Sequence, residues 1–270
     1  MNVKRISADS EPLKDDKSRI QSIGKMMSIL DCFSTINRNL TLVQIANLSG
    51  MPRPTAHRML SAMKEIGFIE QDPRTGRYGL GIKLFELGNI SLANMEIMRE
   101  AKPFMDRLSK LSGETSHLGV FNGFEVIVVE REEPIERQSR GITPIEASPA
   151  HCTGVGKALL AYQRPEVIER VIDSGLMAFT TTTISNPDAL RKELAKIRKR
   201  GYAIDNAEHQ VWVRCIAGPI RNSSGHVFAS ISVTGPVDRM TDTKISSLAP
   251  LIVQTADSIS RQIGYEPGNQ

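Results

Sequence analysis

Two stretches of the chain carry residue types that could do chemistry. The first, HCTGVGKALL at 151–160, sets Gly154, Gly156 and Lys157 ahead of an apolar helical run. That order hints at a phosphate-cradling loop, which needs Gly, four residues, Gly-Lys and then Ser or Thr. The first glycine permits the tight turn, and the final hydroxyl ligates magnesium. Here His151 and Ala158 occupy those two positions, so nucleotide binding is not indicated. What survives is a relaxed turn delivering backbone N–H groups at a helix start, which suits a small anion. The second stretch, PRPTAHRMLS at 52–61, spaces Arg53, Thr55, His57, Arg58 and Ser61 along one side of a predicted helix. Arg can pair bidentately with guanine, and Thr can contact a base or a phosphate. His57 could touch a base or pack at the helix edge.

The surroundings of the second stretch favour duplex DNA. SIGKMMSILDCFS places Ile23, Met26, Met27, Leu30 and Phe33 at helical spacing, which predicts an amphipathic helix. In LTLVQIANLSGMPRPTAHRMLSAMKEIGF, Thr41 can cap a short helix, Ser49-Gly50 can end it, and Pro54 suits the first turn of the next. That next helix would turn Ala56, Met59, Leu60, Met63 and Ile66 inward. FIEQDPRTGRYGLG then reads as a hairpin whose tip carries Arg74 and Arg77, two cations placed to reach phosphates or the minor groove. Helix, turn, helix and basic hairpin together predict a winged helix-turn-helix with its second helix in the major groove.

The 270 residues, 40% of them hydrophobic, suggest about two domains. Residues 1–90 hold 13 Lys and Arg against 9 Asp and Glu, whereas residues 91–270 hold 21 of each, so the whole net charge of +4 falls in the first third. A polyanion would be sought there. No apolar run follows Met1, so no leader or membrane span is expected; a cytoplasmic protein with a disordered tail over 1–19 is. Cys32, Cys152 and Cys215 are too scattered for a disulfide framework.

Apolar residues persist at helical spacing from Ile82 to Leu111, which predicts two helices, with Pro103 tolerable only near the start of the second. The first carries Leu84, Phe85, Leu87 and Ile90 around more than one face, enough to pack against a second copy or into the monomer core. Beyond Gly113 the period changes. TSHLGVF and FEVIVVER flank Asn122-Gly123, and VRCIAGPI and HVFASISVTGP flank Asn222 to Gly225. Two hairpins with predicted helices near 155–162, 165–173 and 187–200 between them imply an α+β domain, an antiparallel sheet covered by helices. A pocket is expected where the helix start at Val155 meets the sheet.

The runs TGVGKALLAY, RKRGYAIDNAEHQVWVRCIAGPI and SISVTGP, with TAHRMLSAMKEIGF and GRYGLGIKLFELG, resemble the IclR family of bacterial transcription regulators over roughly residues 20–265. The resemblance implies a winged helix-turn-helix domain at 20–82, a dimerising linker helix at 83–96 and a GAF-like effector-binding domain at 97–266, often assembled as a dimer of dimers. GETSHLGVF and the DNAEHQ to RCIA stretch are most similar to regulators of sugar-acid catabolism. Implied partners are a palindromic double-stranded operator, a small carboxylate and a second copy of the chain; no cofactor or catalytic group is expected, and although the family sometimes holds a metal in its effector domain, no ligand pair here has the spacing for one. The family's effector contacts fall here on the backbone of Gly154 and Val155 and on Asp205, Cys215, Ser232 and Thr234. His151 is a further donor or a hydrogen-bonded histidine at a strand end.

Three positions depart from the family pattern: Trp212 replaces a usual Gly, Ala207 a common acidic residue, and Pro54 a small hydroxyl residue. Trp212 could narrow the pocket, stack on a ligand or sit at a rim or interface. The alternative reading is a metal- or thiol-responsive sensor using Cys152 or Cys215 with His117, His151 or His209, although no pair has ligand spacing. A cysteine hydrolase from the same residues lacks a fixed nucleophile, base and orienter.

Overall fold

The structure, a computed structural model, describes residues 16–34, 36–93, 96–134 and 146–267. The chain divides into two compact units before residue 95. The first contains helices α1 (Asp16–Leu30), α2 (Leu42–Leu48), α3 (Arg53–Glu65) and α4 (Ile82–Ala93), with strands β1 (Ile69–Gln71) and β2 (Tyr78–Leu80). Of the tail expected over 1–19, residues 1–15 lie outside the described residues, and 16–19 already belong to α1.

Local chemistry explains the helix-turn-helix. Thr41 caps α2 through a reciprocal box: its side chain accepts from Gln44 N at 3.3 Å, and Gln44 Oε1 accepts from Thr41 N at 2.9 Å. Gly50 takes φ 68° in the turn, and Pro54 lies in the first turn of α3. Ala56, Leu60 and Met63 recur at helical spacing and are buried, Leu60 and Met63 in one cluster with Ile29, Leu40, Ile45, Ile69 and Tyr78. Two sequence expectations shift. Helix α1 ends at Leu30, short of Phe33, and Ile23 and Met27 are exposed, since only its C-terminal end docks on the core. Ile66, expected inward, is exposed beyond the end of α3.

The second unit contains α5 (Glu96–Ser112), β3 (Thr115–Phe121), β4 (Glu125–Glu132), β5 (Glu146–Pro149), α6 (Gly154–Leu160), α7 (Pro165–Asp173), α8 (Pro187–Arg200), β6 (Ala203–Asn206), β7 (Val213–Arg221), β8 (Val227–Pro236) and α9 (Asp242–Gln262). The strands form one antiparallel sheet in the order β5-β4-β3-β8-β7-β6. The period-two alternation of side chains divides its faces. Ser116 donates to Met105 O in α5 at 3.1 Å, and Gly218 lies against Ile252 and Ala256 of α9. Cys215 and Ala217, of opposite parity to Gly218, face Gly154 of α6. An apolar cluster of α6, α7 and α8 residues, including Leu159, Leu160, Ile168, Leu190 and Leu194, packs around that second face. Pro103 sits well inside α5, contrary to the expectation that it opens a helix. It is exposed, so water can satisfy the carbonyl its missing N–H leaves open.

Candidate functional site

On α3, the stripe that buries Ala56, Leu60 and Met63 leaves Arg53, His57 and Arg58 exposed and Thr55 half-buried. Of the two readings of His57, exposure leaves the ring available for contact. Strands β1 and β2 pair antiparallel from Ile69↔Leu80 to Gln71↔Tyr78, and Tyr78 also exchanges hydrogen bonds with Leu40. The tip is fixed by Asp72, whose carboxylate accepts from Arg74 N at 2.8 Å and from Thr75 Oγ1 at 2.9 Å, while Gly76 supplies φ 66°. The bond from Arg74 N holds the Asp72 carboxyl below the usual carboxylate range. Arg74 and Arg77 are both exposed. Arg77 Nη1 donates to Asn39 O at 3.1 Å, so part of that guanidinium is committed to the fold. Exposed cations on a helix and an adjacent hairpin suit a phosphate backbone.

In the second unit a cavity of about 340 Å3 opens between the sheet and the start of α6. Strand register builds its floor in two rows. Asp205, Cys215, Thr234 and Thr115 are successive neighbours across β6, β7, β8 and β3; Ser232, His117 and Arg131 are neighbours across β8, β3 and β4. All seven residues line the cavity, together with Gly154, Val155, His209, Gln210 and Trp212. Gly154 is required by close approach: a Cβ there would meet Cys215 Sγ at 2.6 Å. Thr153 caps α6 by accepting from Gly156 N at 3.1 Å. The helix geometry leaves the N–H groups of Gly154 and Val155 without intrahelical acceptors. Ser232 Oγ is fully buried and makes no well-formed hydrogen bond in the protein, only a weak interaction with the Cys215 thiol.

Behind these residues Lys157, 1% exposed, forms a buried ion pair with Glu208. The lysine of the phosphate-loop-like stretch is thus consumed internally. Burial pushes Glu208 upward against the opposing effect of Lys157. Asp205 Oδ1 accepts from Glu208 N at 2.7 Å. Burial, with the Glu208 charge adding to it, raises Asp205 to about 7. The loop between β6 and β7 is clamped by threonine hydroxyls: Thr180 and Thr182 donate to Ala207 O at 2.8 and 2.7 Å, and Thr183 to Glu208 O at 2.5 Å. Ala207 adopts φ 59° there. Trp212, 64% exposed, stands at the cavity mouth.

Of the ligand residues expected from the sequence, Gly154, Val155, Asp205, Cys215, Ser232 and Thr234 meet at this cavity. His151 does not. It is buried, its Nε2 shares a hydrogen bond with Met177 O at 3.0 Å, and its ring lies 6.2 Å from Phe179; of the two readings it is the hydrogen-bonded histidine. Sequence reasoning missed Arg131 entirely and saw His117 only as a base for a thiol or a metal ligand beside one. Burial and the Arg131 charge lower His117 to about 4, leaving it neutral at pH 7. The thiol-sensor reading loses its chemistry, because burial pushes Cys152 up to about 12 and Cys215 to about 11. Hydroxyls of Thr234 and Ser232 beside Cys215 favour its thiolate but do not outweigh burial. Among the described residues no three His, Cys, Asp or Glu converge as a metal centre.

Residues 22–73 match the IclR helix-turn-helix domain, and residues 90–261 match the domain described as bacterial transcriptional regulator IclR C-terminal. HTH-type transcriptional regulator BhcR of Paracoccus denitrificans is 34% identical over 247 residues, covering 91% of this chain and 88% of BhcR. A solved structure from Silicibacter sp. TM1040, assigned to the ICLR transcriptional regulators, superimposes with TM-score 0.82 at 27% identity, over 91% of this chain and 97% of that one. An IclR homolog from Microbacterium hydrocarbonoxydans, crystallised with 4-hydroxybenzoate, gives TM-score 0.71 at 27% identity, over 90% and 98%. The chain is a DNA-binding transcription regulator, not an enzyme, and belongs to the IclR family.

Proposed function

We propose that two or more copies of this regulator grip a palindromic operator through Arg53, Thr55, His57 and Arg58 of α3 and Arg74 and Arg77 of the hairpin. A small carboxylate in the 340 Å3 cavity changes that grip. The observation that carries the effector reading is Ser232 Oγ, a buried hydroxyl of the cavity wall that makes no well-formed hydrogen bond and interacts only weakly with the Cys215 thiol. A buried polar atom left unpaired costs about 1–3 kcal/mol, and a ligand oxygen bonding this weakly paired hydroxyl would recover part of that. Thr234 and the N–H groups of Gly154 and Val155 add donors, and Asp205 can accept from a ligand hydroxyl. The 4-hydroxybenzoate bound by the Microbacterium homolog belongs to the same chemical class. Switching needs only that the acid bind the operator-competent and operator-incompetent forms unequally.

The test is a melting-temperature screen of sugar acids, keto acids and aromatic acids, read alongside release from genomic DNA fragments. An acid at 100 times its Kd adds about 2.7 kcal/mol, a rise of roughly 5–10 °C for a domain of this size. Ser232→Leu should abolish the rise while leaving DNA binding intact. Normal induction of that variant would place the effector elsewhere.

A further inference from the structure

We propose that the effector carries two acidic groups, and that Arg131 with His117 forms a second subsite at the β4 side of the cavity, opposite the carboxylate subsite at Ser232 and Thr234. This rests on the carboxylate reading above and narrows it to dicarboxylic acids.

The register carries the inference. His117 lies directly opposite Ser232 of β8 on one side and Arg131 of β4 on the other. The three side chains therefore share a row and a sheet face, and all three line the cavity. Ser232 and Arg131 stand two strand spacings apart, roughly 10 Å between backbones at about 4.8 Å per step. The long guanidinium arm spans part of that distance, so a short carbon chain bearing a carboxylate at each end fits between the two. Charge points the same way. Asp205 lies at the β6 side of the floor, and Arg131 is the one Arg or Lys among the described lining residues. Arg131 is also paired with Glu133, but a guanidinium has five N–H donors and one carboxylate does not exhaust them. His117, neutral at pH 7, adds a hydrogen-bond donor without adding charge. A monocarboxylate would engage one end of the floor and leave the Arg131 donors that Glu133 does not use without a ligand acceptor.

The experiment is calorimetric titration of the full-length protein with length-matched acids. Succinate, glutarate, adipate and galactarate are compared with butyrate, valerate, hexanoate and galactonate. Wild-type protein should prefer at least one diacid over its monoacid match by roughly 10- to 100-fold, the range for a hydrogen bond to a charged group. Arg131→Gln should collapse that preference to about the mutational noise, within twofold, with monoacid affinity unchanged. Arg131→Lys should retain part of it, and serves alone if Arg131→Gln fails to fold. A preference that survives in Arg131→Gln overturns the second subsite. So does an equal loss for both classes, which would make Arg131 the sole carboxylate anchor. Wild-type binding of monoacids without discrimination sinks the diacid proposal but spares the carboxylate reading; wild-type protein that binds neither class sinks both.

Discussion

Asp205 is 4% exposed and lies next to the Lys157–Glu208 pair, so its environment decides where its proton leaves. Burial, reinforced by Glu208, raises it to about 7 in the folded protein from an ordinary value of 3.8. A carboxyl whose folded pKa is raised binds more protons folded than unfolded, so it subtracts stability as pH climbs from about 4 to about 7 and no further above that. Three units at about 1.4 kcal/mol each set an upper bound of about 4 kcal/mol. Asp205→Asn keeps the acceptor for Glu208 N and should remove this slope: the variant should melt above wild type at pH 8 and converge with it near pH 4. Parallel melting curves across that range would show that Asp205 is ionised throughout. Arg58 belongs to the other unit and is exposed. Arg58→Ala should weaken operator binding roughly 10- to 100-fold, as for one lost base contact of about 1–3 kcal/mol, without shifting the melting temperature or its response to acids. Loss of both responses would make the residue structural. At this scale the sequence disclosed the chemistry of HCTGVGKALL but not its partners. Whether His117 meets Ser232 at the cavity depends on which strand lies on the side of β3 away from β4. That strand is β8, more than a hundred residues along the chain, and spacing along one strand does not reveal it.

The elements that were legible are those with local signals. Asn122-Gly123 and the Asn222–Gly225 turn announced the β3–β4 and β7–β8 hairpins, and helical spacing placed α8 near 187–200, where the structure adds an Asn186 N-cap and a left-handed Gly201 C-cap. Strands β5 and β6 escaped notice because each has four residues, too few to establish a period, and β5 ends in Pro149. Helix α9 carries Pro250 in its interior, which masks a continuous helix of 21 residues. That helix is tied down by an ion cluster no single motif encodes: the Glu114 carboxylate, preceding β3, accepts from Arg239 at 2.8 Å and from Lys244 at 2.8 Å. Burial would raise Glu114, but hydrogen bonds from Arg239 and Lys244 win and hold it down at about 2. A depressed carboxyl contributes stability that is complete above about pH 4.5 and lost as pH falls toward 2. Glu114→Gln should therefore destabilise the second unit at pH 7 by up to about 3 kcal/mol, less whatever water screens at half-exposed Arg239. Near pH 2 it should melt like wild type. Chemical denaturation at both pH values reads the difference; equal midpoints at pH 7 would mean that the cluster adds nothing to the docking of α9.

For the molecule as a whole, the division of labour is written in charge and in apolar surface. The first third holds the entire positive surplus, and α4, at the end of the first unit, exposes Ile82, Phe85, Leu87 and Ile90, with Phe85 66% exposed. Four large apolar side chains on a helix of 12 residues exceed what scattered surface hydrophobes explain. They motivate the proposal that α4 buries them against a second copy, as a reader of two operator half-sites requires. Phe85→Glu combined with Ile90→Glu should leave the fold intact, because exposed substitutions shift stability by only about 0.5 kcal/mol, while charge at both positions blocks an apolar seam. Analytical ultracentrifugation should then show a smaller assembly. Affinity for a two-half-site fragment should fall more than affinity for a single half-site. The dependence of binding on salt separates this from damage to the contact surface: each protomer would keep its phosphate contacts, about −0.9 in log–log slope per phosphate, so the single-half-site slope should match wild type. An unchanged mass with unchanged two-site affinity would assign self-association to another surface.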